Sequence, residues 1–153
     1  MQLKTSLAAL ALILAPTLAT ADGSIAPDVL QIPLASTHFG SWSDSDFNEF
    51  NPGLIFTWVE RAGDLNYSFG AYKDSKSAAA LHVSVAKMWD IAEYTQAGIV
   101  GAYIHSTGDG FTGFAPSVQL NHKYLFMNVA TGYDDGDGVY GVVGTGITIP
   151  LGK

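Results

Sequence analysis

Leu65-Asn66-Tyr67-Ser68-Phe69-Gly70-Ala71 decides the fold, because apolar residues alternate along it with polar or small ones at a period of two. Leu65, Tyr67, Phe69 and Ala71 share one face of this run, and Asn66, Ser68 and Gly70 share the other, the register of a β-strand between two unlike surroundings. The pattern recurs. Leu81, Val83 and Val85 oppose His82, Ser84 and Ala86, and Phe114, Pro116, Val118 and Leu120 oppose Ala115, Ser117, Gln119 and Asn121. Outward from these stretches, period-two runs punctuated by Gly, Asp, Asn and Ser predict eight strands, near Leu30–Phe39, Gly53–Glu60, Leu65–Tyr72, Ala79–Trp89, Ala97–His105, Thr112–Asn121, Tyr124–Gly132 and Val139–Leu151. Helical periodicity is almost absent between them.

Such alternation suits a soluble sandwich, which turns its apolar face inward, and equally a lipid-embedded barrel, which turns it outward. Other features separate the two. Trp58, Tyr72, Trp89, Tyr103 and Tyr124 fall near strand ends, where an interfacial girdle sits, and strand-internal glycines suit a small crowded barrel. An even strand count also returns both termini to one side. The expected fold is therefore all-β, an eight-stranded antiparallel up-and-down barrel of outer-membrane type.

The N-terminus reads as an export signal over residues 1–21, with Lys4 as the positive region, an apolar stretch from Leu7 to Leu14, and the small-residue site Ala19-Thr20-Ala21 before Asp22. The apolar run is too short to span a membrane as a helix, so any spanning falls to strands. Residues 22–153 suit a single barrel domain. That mature chain has six basic residues against fourteen acidic ones, a formal charge of −8, which argues against nucleic acid as a partner. The absence of cysteine removes disulfides, thiol nucleophiles and thiolate metal sites. The acids at Asp44 and Asp46 and at Asp134, Asp135 and Asp137 read as a solvated rim, because the Asp-Asp-Gly-Asp-Gly run lacks the spacing and closing Glu of a calcium loop. With no paired His at ligand spacing, no metal site is expected. No cofactor and no obligate protein partner is indicated.

If both termini lie on the periplasmic side, residues 40–52, 73–78, 106–111 and 133–138 form the outer loops. His38, at the end of the first strand, then shares a rim with Asp74 and Ser75, after the third. These are the residue types of a general base, an orienting carboxylate and a hydroxyl partner in acyl transfer. A barrel of eight strands is narrow enough for them to approach one another across its mouth. Of the other histidines, His82 falls mid-strand, and His105 and His122 fall at strand ends, positions that suit hydrogen-bonded or interfacial roles.

Ile32-Pro33-Leu34-Ala35-Ser36-Thr37-His38, then Phe47-Asn48-Glu49-Phe50-Asn51-Pro52-Gly53, then Tyr72-Lys73-Asp74-Ser75, resemble the lipid A palmitoyltransferase family of Gram-negative outer membranes. Its pattern is a Pro five residues before an essential His, an Asn-Glu followed by Pro and Gly in the first loop, and Lys-Asp-Ser after the third strand. Weaker similarity continues through Ala115-Pro116-Ser117-Val118 and Gly138-Val139-Tyr140. The resemblance implies an enzyme that moves a palmitoyl-like chain from a phospholipid donor to a lipid A acceptor within outer-membrane lipid. His38, Asp74 and Ser75 would be its functional trio, with His38 as general base. Pro33 and Pro52 would form a lateral gate, since proline donates no ladder hydrogen bond. Asn48 and Glu49 would order the first loop over the rim. Ala86, eleven residues after Ser75, would stand where the family has a glycine at the floor of its acyl pocket, which implies a preference for a chain somewhat shorter than palmitoyl.

Three departures stand against this pattern. About seven residues separate Asp22 from the first strand, too few for the family's N-terminal amphipathic helix. The chain closes Ile149-Pro150-Leu151-Gly152-Lys153 without a terminal aromatic, and His82 and Ser84 are polar where a hydrocarbon pocket is implied. Two alternatives therefore stay open: a non-catalytic structural or lipid-binding barrel of the outer membrane, and a soluble periplasmic barrel carrying an apolar ligand.

Overall fold

Residues 25–41, 46–134 and 138–152 are described by the computed structural model. The export signal expected over residues 1–21, its processing site before Asp22, and Asp44, Asp135 and Asp137 lie outside them. Eight strands form, β1 (Val29–Gly40), β2 (Gly53–Ala62), β3 (Leu65–Lys73), β4 (Ala79–Ala92), β5 (Thr95–Ser106), β6 (Thr112–His122), β7 (Leu125–Asp134) and β8 (Gly138–Pro150). Each pairs antiparallel with the next, and β8 pairs back onto β1, closing the barrel. No helix forms among the described residues.

Strand ends differ from the expected ones by up to three residues, most at the β4–β5 hairpin, where β4 runs on to Ala92 and β5 starts at Thr95. The cause is the turn. Residues 63–64, 93–94 and 123–124 reverse the chain in two residues each, with Gly63, Tyr94 and Lys123 at φ of 64°, 60° and 51°. Connections at the opposite end are longer, spanning residues 41–52, 74–78 and 107–111.

Alternation resolves with the apolar face outward. Leu54, Phe69, Leu81, Ile99, Phe114, Val118 and Ile147 are exposed, while Thr57, Ser68, Ser84 and Gln119, at positions of the opposite parity, are buried. Tyr72 corrects one expectation, because it turns inward instead of joining a girdle. It shares the face of Ser68 and Gly70, and its ring centroid lies 6.4 Å from that of His82.

At the tight-turn end, Arg61 anchors the segment that precedes β1. Its Nη2 donates to Asp28 Oδ2 at 3.0 Å and to the Ala26 carbonyl at 3.2 Å, and its side chain is only 3 % exposed. Asp28 Oδ2 also accepts from the Val59 amide at 2.9 Å, and the Asp28 carbonyl accepts from the Leu151 amide at 2.9 Å. One pair thus ties together both ends of the described barrel. Removing the carboxylate takes a hydrogen-bonded counter-charge from a buried guanidinium, so Asp28→Ala should lower unfolding stability by roughly 3 kcal/mol. Denaturant titration of the folded barrel should show the shift, and an unchanged midpoint would mean that the pair is dispensable.

Candidate active site

The inward faces of the strands enclose a cavity of about 1230 Å³, larger than the roughly 300–1,000 Å³ of ordinary small-ligand pockets. It runs the length of the barrel, from His38, Ser75, Phe111 and Tyr140 at the long-loop end to Asp90, Gln96 and Lys123 at the tight-turn end. Ile55, Val100, Ala102, Ile104, Ala115, Ala130 and Val142 supply apolar lining. Thr57, Ser68, His82, Ser84 and Gln119 supply polar lining. Gly144 belongs to this wall, and a Cβ built there meets nothing within 4 Å, so the lumen is open beside it.

Two seams of the closed barrel are incomplete. Pairing of β1 with β2 ends at Gln31↔Ile55 and resumes only at an isolated bridge between Ala35 and Phe50, leaving residues 32–34 opposite 52–54 without a ladder. Pro33 and Pro52 flank that gap, and the β1–β8 register shifts beside it, between Pro33 and Ala35. Above it the first loop takes the place of β2. The Ser36 amide donates to the Glu49 carbonyl, and the Asn51 amide to the Leu34 carbonyl, both at 2.9 Å. A second gap lies between β6 and β7, whose pairing ends at Ser117↔Ala130, beside Pro116.

Asp74 and Ser75 sit on the turn that follows β3. The Asp74 Oδ1 atom accepts from the amides of Lys76 and Ala78, both at 2.9 Å, so the carboxylate shapes the turn that carries Ser75. Its Oδ2 accepts from the hydroxyl of Ser106, which in turn accepts from the Gly108 amide at 3.2 Å. Gly110 allows this approach, because a Cβ there would collide with the Asp74 carboxylate.

A chain of hydrogen bonds joins Ser75 to the first loop, and its direction can be worked out. Asn51 Nδ2 donates to the Asn48 carbonyl at 3.2 Å, which fixes the orientation of the amide and leaves Asn51 Oδ1 as an acceptor. The Ser36 hydroxyl donates to that oxygen at 2.6 Å, so Ser36 Oγ serves Ser75 Oγ, 3.5 Å away, only as an acceptor. The Asn48 amide closes the circuit by donating to the Ser75 carbonyl at 2.8 Å. Ser36 and His38 are two residues apart on β1 and line the same cavity. The His38 ring stacks on Phe47 with centroids 4.0 Å apart, and Lys76 Nζ lies 4.4 Å from the centroid of the same ring.

The sequence-predicted residues are therefore distributed as follows. His38, Asp74 and Ser75 line one mouth, with Asp74 turned into its own loop. Asn48 acts through its backbone amide and carbonyl and through its side-chain Nδ2, which donates to the Phe50 carbonyl, while the Glu49 carbonyl accepts from the Ser36 amide and its Oε1 from the Thr37 hydroxyl at 3.4 Å. Pro33 and Pro52 flank the ladder gap. Ala86 lines the lumen, but the lumen continues past it to Met88 and Asp90, so this residue narrows the wall without closing it. Sequence reasoning missed Ser36, Asn51 and Ser106. Period two places Ser36 on the face of His38, and Ser106 on the face of Ala102 and Ile104 at the end of β5, and could have found both, whereas Asn51 depends on a loop conformation that carries no periodic signal.

No protein-family model matches this chain, and no curated protein sequence matches it. Among the described residues no group of three His, Cys, Asp or Glu side chains gathers as a metal site would require. The turn makes a direct test: Asp74→Ala removes the acceptor of two backbone amides and a buried hydroxyl, at a cost of roughly 2–4 kcal/mol. Hydrogen exchange at Lys76 and Ala78 should accelerate in that variant and stay slow in β3 and β4. Unchanged protection at both amides would remove Asp74 from the framework of the turn.

Proposed function

We propose that this chain is an outer-membrane acyltransferase that moves a fatty acyl chain from a phospholipid to lipid A or a related glycolipid. The observation that carries the reading is the position of His38 and Ser75 at one mouth of a through-going lumen whose wall lacks its ladder between Pro33 and Pro52. An exposed belt of Leu, Ile, Phe and Val around a closed barrel supports a lipid surround. A gap in the ladder is where a lipid chain passes sideways, and a lumen of this size has room for it.

The chemistry is an ester exchange with no change of oxidation state. His38, as general base, takes the proton of an acceptor hydroxyl on the glycolipid. That oxygen attacks the acyl carbonyl of the donor and forms the new ester bond. The old bond from acyl carbon to glycerol oxygen breaks, and the proton held by His38 passes to the departing oxygen. Phe47 holds the imidazole by stacking. Ser75, whose proton points towards Ser36, presents its lone pairs to the reacting groups, and Asp74 is a positioning residue that fixes the turn beneath it. Among relatives by resemblance, the same trio is the functional one.

Three outcomes follow. The protein should fractionate with outer membranes and migrate differently on gels with and without boiling; recovery as a freely soluble periplasmic protein would overturn the membrane reading. His38→Ala and Ser75→Ala should each lower acylation of lipid A by at least about a hundredfold while leaving a folded barrel, with His105→Ala nearly unaffected. Mass spectrometry of lipid A decides this, and equal losses in all three would refute the assignment. Ala86→Leu, which fills the lumen partway down, should shorten the transferred chain, whereas an unchanged chain length would place the acyl group elsewhere.

A further inference from the structure

One wall of the lumen is polar where an acyl chain would lie. Thr148 on β8 is in register with Gln31 on β1, Thr57 on β2 with Ser68 on β3, and Ser68 with Ser84 on β4. These side chains form a polar band in two rows, Thr148 with Gln31 and Thr57 with Ser68 and Ser84, offset by one inward position at the β1–β2 seam, where Gln31 pairs with Ile55 and Thr57 with Val29, and His82 joins it one inward position above Ser84. Val100, Ala102, Ile104, Ala115 and Ala130 line the facing wall, where Ser117, Gln119 and Asn128 are its polar members.

The band makes fewer hydrogen bonds than its atoms allow. Thr57 and Ser68 share a single hydrogen bond of 2.9 Å, which uses one hydroxyl proton of the two. His82 Nε2 and Ser84 Oγ share another of 2.9 Å, which leaves the second ring nitrogen outside it. Thr148 Oγ1 is buried and has no partner among the described residues. An unsubstituted hydrocarbon chain would strip water from this band and return nothing, the circumstance in which buried polar groups discriminate against a ligand. A chain with its own hydroxyl at that depth would give the band a partner while its methylenes lie against the apolar wall.

We infer that the lumen selects a fatty acyl chain bearing a hydroxyl or oxo group near its middle, docked on Thr57, Ser68, Ser84 and His82. The depth follows from β4. Ser84 is four residues below Ala80 at the rim, and on a strand that rises about 3.3 Å per residue and leans about 40° this is roughly 10 Å. An extended chain held by its carboxyl end at the rim reaches that level near its midpoint. The inference deepens the acyl-transfer reading and rests on it for the identity of the guest.

Binding tests it without depending on turnover. The full-length protein, folded in detergent micelles, is titrated with 10-hydroxystearate and with stearate by displacement of a fluorescent fatty acid from the barrel. The hydroxylated acid should bind at least about tenfold more tightly. Ser84→Ala, and Ser68→Ala combined with Thr57→Val, should each bring the ratio close to one, with folding verified by the gel shift on boiling. Gly144→Leu, which projects into the open lumen, should abolish binding of both acids. Equal affinities in the unaltered protein, binding of neither acid, or an unchanged ratio in the Ser84 and Ser68 variants would each overturn the inference. Transfer of both acyl chains from phospholipid donors is measured in parallel: selective binding without transfer refutes the enzyme alone, and transfer without selectivity refutes the inference alone.

Discussion

Backbone hydrogen bonding is the constraint on which the rest depends. An amide left unpaired within a closed barrel costs free energy unless another group takes it, so each strand must find partners on both edges. β1 meets this demand unequally. Along β8 it pairs from Val29↔Pro150 to Gly40↔Tyr140, but along β2 only from Val29 to Gln31. The missing partner is supplied by the first loop, through the Glu49 carbonyl and the Asn51 amide. Because the loop is held there, Asn51 reaches Ser36 and Asn48 reaches the turn of Ser75.

Closure also decides the interior. With the large apolar side chains outside, the inward positions are left with small and polar residues, and among the described residues the buried apolar set is only Ile55, Ala80, Val100, Ala102 and Phe126. A wall of this composition does not fill itself, which accounts for the cavity. Stability must then come from the ladder and from fixed points such as Arg61 and Asp28, since few apolar side chains are buried among the described residues.

Much of this was legible in the sequence because strands write their environment at period two. The three quoted runs placed Ser68, Ser84 and Ala86 on one face and Phe69, Leu81 and Val118 on the other, and the structure keeps each assignment. Which face was inside could not be read from alternation, since inverting the surroundings leaves the pattern unchanged. Tyr72 shows the cost of setting parity aside: its aromatic character suggested a girdle, yet its spacing from Ser68 already placed it inward. The rim was legible as residue types and order, but not as contacts. Asp74 was legible as a carboxylate of the rim, but not its contacts, two amides of its own turn and the hydroxyl of Ser106 on β5. The β4–β5 hairpin was read as longer because Glu93-Tyr94 lacks the Asn-Gly or Gly-Gly signature of a tight reversal.

The broken seam and the hydrogen-bonded rim are one feature with two consequences. Ser36 shows the connection, because its amide completes the ladder to the first loop while its hydroxyl receives the proton of Ser75. Lifting the loop to widen the opening would release the Ser36 amide, the Asn51 amide and the hydroxyl chain together, and would dismantle the arrangement around Ser75. The gap across residues 32–34 and 52–54 requires no such release, since no ladder is present there to break. Lateral passage beneath a fixed loop is therefore compatible with an intact site, and passage through a lifted loop is not. Pro33 maintains that arrangement from within the gap, because a residue without an amide proton gives β2 nothing to pair with.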